Sequence, residues 1–165
     1  MSLDYSAIED AIVAVFAADD WLKIVAGNVK VIEARVRENA DTDKALIWGL
    51  ARDTELPGII VYAETARRVP ITTGEHDNFI PITVMAFTSV LKRTTAKAAR
   101  ITLVENLERV IEKQVASGQD WGTALATTEV PTIRTEPTLY KEGDNYIGEA
   151  EITFEILKIT DIEGI

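Results

Sequence analysis

What most constrains this chain is a stretch that is apolar on both alternating faces, residues 79–90. Ile80, Ile82, Val84 and Ala86 fall on one side of an extended chain, and Phe79, Met85 and Phe87 on the other. Side chains alternate with a period of two along a strand, so such a run has to be covered on both sides. It predicts a central strand with a helix against one face and a neighbouring subunit against the other. The flanking segments suit that role. A shorter apolar run, 58–64, reads as a strand, and a polar loop over 69–78 separates the two, long enough to reach a neighbouring molecule. Residues 94–114 read as one amphipathic helix, with Ala96, Ala99, Leu103, Leu107, Val110 and Ile111 on one stripe and Ser117-Gly118 as its stop.

The rest of the chain fits around this block. Ser6 and Glu9 have the spacing of a capping box and predict a helix start, with Ile8, Ile12, Val15 and Phe16 on one face. That helix should end near residues 18–21, where Asp19-Asp20 suits a turn or a new N-cap. Residues 29–36 alternate as a strand, and 39–55 fit either a short helix or a loop. Residues 127–135 read as a strand that Pro131 confines to a sheet edge or a bulge. A hairpin loop over 141–145 leads into a clean alternation. Tyr146, Ala150, Ile152, Phe154 and Ile156 face the core, and Glu149, Glu151, Thr153 and Glu155 face away. The expectation is one α+β domain over residues 1–165. Its mostly antiparallel sheet has about four to five strands, with the N-terminal helix and one long central helix on one face.

Charge narrows the function classes. The net charge is -10 and is unevenly spread. Residues 1–91 carry 14 acids against 8 bases, residues 92–118 carry 6 bases against 3 acids, and residues 119–165 carry 10 acids against 3 bases. A field of that sign repels phosphates, so nucleic-acid binding by phosphate neutralisation is disfavoured. With no cysteine, disulfide and thiolate chemistry are excluded. No apolar run approaches the ~20 residues that span a bilayer, and the N-terminus lacks a signal-peptide pattern, so a soluble intracellular protein is expected. The basic cluster Lys92, Arg93, Lys97 and Arg100 stands at the start of the central helix, where positive charge is unfavourable by a few tenths of a kcal/mol each, about that scale. An acidic surface on another subunit accounts for it best.

Motifs for catalysis fail on geometry. His76, the single histidine, lies in the polar loop between Glu75 and Asp77 and reads as solvated. Ser89-Val90-Leu91-Lys92 has the Ser-x-x-Lys form, but a strand end sends side chains three apart to opposite faces, and the companion motifs are missing. Asp41-Thr42-Asp43 resembles a calcium-loop start, yet Leu46 and Arg52 stand where glycine and glutamate are needed. Glu149, Glu151 and Glu155 could form a carboxylate cluster for metal, but a wet strand face is the better reading. Trp21, Trp48 and Trp121 read as core or interface anchors. No cofactor or metal is called for, and no enzymatic activity is expected.

The opening Tyr5-Ser6-Ala7-Ile8-Glu9-Asp10-Ala11-Ile12-Val13-Ala14 resembles the first helix of small tail-associated proteins of Mu-like and other tailed phages. Leu56-Pro57-Gly58-Ile59-Ile60-Val61-Tyr62 is similar to their first core strand. The order that follows (polar loop, long strand, central helix, two C-terminal strands) is similar to that of tail terminator, or tail completion, proteins over most of the chain. Residues 39–55 depart from the shorter members. The resemblance implies a structural role: a homo-oligomeric, usually hexameric, ring that ends the tail tube and meets the head-completion or connector protein. It implies assembly in the cytoplasm, a final place in the virion neck, and DNA passing without specific binding. Lys92, Arg93, Lys97, Arg100, Phe79, Met85, Phe87 and His76 are then interface candidates. Glu149, Glu151 and Glu155 are candidates for an acidic lumen. Two alternatives stand beside this: a small-molecule-binding or enzymatic domain with a pocket between sheet and helix lined by Tyr62, Met85 or Tyr146, and a part of a contractile injection apparatus.

Overall fold

Two long antiparallel strands carry the fold in the computed structural model, which describes residues 3–25, 30–33, 57–117, 121, 126–127, 132–134, 139–142 and 144–161. The elements in chain order are α1 (Tyr5–Ala18), a π-helical turn (Trp21–Val25), β1 (Lys30–Glu33), β2 (Gly58–Ala63), β3 (Arg67–Pro70), β4 (Glu75–Val90), α2 (Arg93–Ser117), β5 (Ala126–Thr127), β6 (Thr132–Arg134), β7 (Leu139–Glu142) and β8 (Asn145–Asp161). β4 and β8 pair from Glu75 opposite Asp161 to Val90 opposite Tyr146. The other edge of β4 holds β2 against residues 82–87 and β3 against 76–79. The far edge of β8 holds β7, β6 and β5 in turn. β1 extends the sheet beside β2 in a parallel pairing. The result is an α+β fold with a mostly antiparallel sheet and helices packed against it, as the alternation and the helix stripe predict.

The core lies between the helices and one sheet face. Ile8, Ile12 and Phe16 of α1 and Leu103, Leu107, Val110 and Ile111 of α2 meet Ile59 and Val61, Ile80, Ile82 and Val84, and Ala150, Ile152, Phe154 and Ile156. Full burial of each large side chain contributes ~1.5–3 kcal/mol, so this layer supplies most of the stability. Trp121 closes one end. Its ring lies 5.6 Å from Phe16 and is stacked on Phe154 at 5.3 Å. Its backbone N–H donates to Gln114 Oε1 at 3.1 Å. Trp121 has φ 52°, a conformation that costs a non-glycine residue roughly 1–2 kcal/mol, and the aromatic packing offsets that cost.

Several local expectations are corrected. The first helix is capped by Asp4, whose carboxylate accepts from the Ala7 N–H at 3.0 Å, rather than by Ser6. Glu9 does not close a capping box but accepts from the Ala63 N–H at 3.4 Å, and Tyr5 Oη accepts from the Ala66 N–H at 3.0 Å. Both bonds fasten α1 to the end of β2. Asp19 does cap the next turn, accepting from the Trp21 and Leu22 N–H groups at 3.1 and 3.2 Å. The polar loop over 69–78 is mostly a hairpin: β3 pairs with the start of β4, and only a short turn separates them. Ladder hydrogen bonds hold this strand although all four of its residues are exposed. Of the strand expected over 127–135, the described residues hold β5 and β6, both on the β8 edge; Pro131 lies outside the described residues, as do residues 39–55 and Trp48.

Candidate interaction surface

Helix α2 begins where β4 ends, so the turn between them fixes how its charges are displayed. Both the N–H and the Oγ1 of Thr95 donate to the Lys92 carbonyl, at 3.1 and 3.0 Å, which ties the turn to the first helical coil. Lys92, Arg93 and Lys97 are exposed, and none of them has an ion partner among the described residues. Ser89 is half-buried in β4 and Lys92 lies beyond the strand, so the Ser-x-x-Lys pattern is not wound into a helical turn. Arg100 differs from the other three cations. It is half-buried and lies across β8, where its Cβ and Cδ would be 3.2 and 3.6 Å from a Cβ built on Gly148. Glycine is what lets the helix come that close.

The remaining interface candidates separate by burial. Met85 is 7% exposed and Phe87 is fully buried within the chain, together with Ile60 on the same sheet face. That face needs no neighbouring subunit to cover these side chains, and they offer no surface for one. Phe79 is half-buried beneath the Arg67 guanidinium, which lies 4.5 Å from the ring centroid. His76 is half-buried in β4, opposite Pro70 and Thr160, and is not in a loop; its carbonyl accepts from Asn78 Nδ2 at 3.4 Å. Glu149 is only 7% exposed, and Glu151 and Glu155 are half-buried, so the alternating carboxylates of β8 do not form an open wet face. Among the described residues, no three His, Cys, Asp or Glu side chains are grouped to hold a metal ion.

A different acidic feature stands out. Glu105, Glu108 and Glu112 follow helical spacing along the outer side of α2. Partial burial of Glu108, and then the charges of Glu112 and Glu105, raise its carboxyl above the ordinary 4.5. Their three- and four-residue spacing is readable from the sequence, although the net positive charge of residues 92–118 masks it. From the same helix, Arg109 makes an ion pair with Asp19 at 2.8 Å, joining α2 to the end of α1. Burial alone would raise the Asp19 carboxyl. The Arg109 bond and charge and the two backbone N–H groups outweigh it and hold the carboxyl below 3.8.

A cleft of about 340 Å³ opens between the sheet and α2, walled by Trp21, Pro57, Thr88, Val90, Ala99 and Leu103. It is not the pocket expected from Tyr62 and Met85. Tyr62 is exposed and Met85 is buried on the sheet face away from the helices. No helix among the described residues is long and apolar enough to cross a membrane. No protein-family model matches the chain, and no curated protein matches it significantly.

Proposed function

We propose that this protein is a structural, self-associating component of a phage or prophage tail. In this reading it forms a ring, of six copies in the related designs it resembles, that ends the tail tube and meets the head connector. The observation that carries the reading is the exposed trio Lys92, Arg93 and Lys97, held at a helix N-terminus in a protein of net charge -10. Cations there oppose the helix dipole, so their retention calls for an acidic partner surface, and a second acidic copy supplies one. The element order of α1, β2, β4, α2 and the C-terminal strands supports the tail-terminator form of the reading. The acidic charge suits a lumen through which DNA slides without being held. A part of a contractile injection apparatus is served by the same physics.

Charge reversal tests the reading. Lys92→Glu with Arg93→Glu leaves the fold intact, because both side chains are exposed, and lowers the assembled fraction seen by light scattering and electron microscopy. Unchanged assembly removes the role of the basic cluster. The sheet–helix cleft favours a second reading, a small apolar ligand held there. A reproducible rise in melting temperature with one metabolite class supports it, and no shift across a broad screen counts against it.

A further inference from the structure

The outer flank of α2 is patterned so that it complements itself. Lys97, Ile101, Glu105, Glu108 and Glu112 follow one another at three- and four-residue steps, which places them on one side of the helix. Lys97 and Glu105 are exposed, Glu108 is half-buried, and Ile101, between the cation and the carboxylates, keeps 41% of its surface. At ~1.5 Å per residue, Lys97 lies ~6 Å before Ile101 and Glu105 ~6 Å after it. At 3.6 residues per turn the two also lie on opposite sides of the stripe's midline.

We infer that a second copy of this chain docks on this flank, with the two α2 helices antiparallel about a two-fold axis through Ile101. A two-fold rotation about that point sets Glu105 of one helix level with Lys97 of the other, twice, and the two long side chains meet across the midline. The two isoleucines meet at the centre. Glu108 falls beside Thr94 of the second copy, whose neighbour is Arg93 and which lies about one turn from Lys97. Glu108, whose proton affinity is raised within a protomer by partial burial and by the charges of Glu112 and Glu105, gains cations nearby. A parallel arrangement instead sets Lys97 on Lys97 and Glu105 on Glu105 and is repulsive. One helical stripe buries less than the ~1,200 Å² of a standard interface, so the contact is weak alone and salt-sensitive.

This inference rests on the self-association part of the proposed function and gives it a geometry. A two-fold contact pairs copies, whereas a ring closes through a head-to-tail contact elsewhere. Free in solution the particle therefore holds an even number of copies, as a dimer or as two rings placed together; in a ring seated between tail tube and connector, whose two faces differ, this contact is open.

The chain has no cysteine, so Ile101→Cys introduces a unique thiol opposite its own symmetry mate. Under mild oxidation this variant should cross-link roughly tenfold or more faster than the off-stripe control Lys113→Cys, because the contact raises the effective thiol concentration. Adding Lys97→Glu should slow cross-linking several-fold, and adding Glu105→Lys to that double variant should restore it. A misfolded variant is not rescued in this way, and circular dichroism monitors the fold directly. Cross-linking no faster than the control, or a charge reversal without effect, overturns the inference. Single-layer rings without this cross-link would refute it and leave the ring reading standing. Cross-linked dimers that never form rings would do the reverse.

Discussion

Gly148→Ala probes the closeness of α2 to the sheet. The added Cβ would lie 2.7 Å from Thr88 Oγ1 and 3.2 Å from Arg100 Cβ. The first contact can be relieved by rotating Thr88, which gives up its hydroxyl's weak 3.5 Å bond to the Gly148 carbonyl. The second cannot be relieved by a rotamer change, because the Arg100 Cβ moves only with the helix backbone. Crowding of this kind costs ~1–3 kcal/mol, and removing a glycine from a strand returns ~0.5–1 kcal/mol. The net is ~1–2 kcal/mol of destabilisation, or a fall of ~2–8 °C in melting temperature for a domain of this size. Urea unfolding followed by circular dichroism, with calorimetry for the melting temperature, measures both. The same substitution in a Thr88→Ala background should cost less, since one of the two clashes is gone. A neutral or stabilised Gly148→Ala refutes the close approach of α2 and β8, and with it the packing role of Arg100.

Other substitutions test separate joints of the fold. Trp121→Ala removes the ring between Phe16 and Phe154 and should cost ~3–5 kcal/mol in urea unfolding; a loss below 1 kcal/mol, roughly a surface effect, contradicts its core placement. Asp19→Ala removes a helix cap and the Arg109 pair and should cost ~1–2 kcal/mol at pH 7. Because the folded carboxyl lies below its ordinary 3.8, that stability is present above pH 3.8 and is lost as pH falls through the folded value. The gap between wild type and Asp19→Ala should therefore close in acid; a gap that persists shows another cause. Glu108 has the opposite sign: its raised carboxyl favours the fold below 4.5, and that contribution is lost as pH rises through the folded value. Glu108→Gln should thus stabilise a dilute monomer by ~0.2–0.5 kcal/mol at pH 7 and not in acid, read by thermal melts at both pH values.

The parts of the fold that bury apolar side chains were legible from the sequence. The two-sided run 79–90 is the core of β4, and Ala150, Ile152, Phe154 and Ile156 all enter the core from β8. The α2 stripe is also as spaced, with Val104 added to it and Ala99 only half-buried. What escaped were features that depend on distant partners. Asp4 and Ser6 are both good caps. Asp4 prevails while Glu9, the partner Ser6 would need, bonds the Ala63 N–H, 54 residues away. β3 has no apolar alternation and contains Pro70, so only its ladder to β4 reveals it. The second sheet face misled in two ways. Apolar side chains at 85 and 87 suggested a subunit contact, but the chain itself buries them, and Glu149 lies buried beside Phe87 in the register rather than in open water. Burial of that kind depends on what the rest of the chain places over a face, which alternation alone does not encode.

Sedimentation velocity on the wild-type chain, over a concentration series at low and at ~1 M salt, tests self-association through the charged flank of α2 most directly, because exposed charge pairs are screened beyond ~3 Å in the higher salt. The account predicts species at even multiples of 18.2 kDa that grow with concentration at low salt and recede toward the monomer at high salt. A single 18.2 kDa species throughout, or assemblies indifferent to salt, would contradict it.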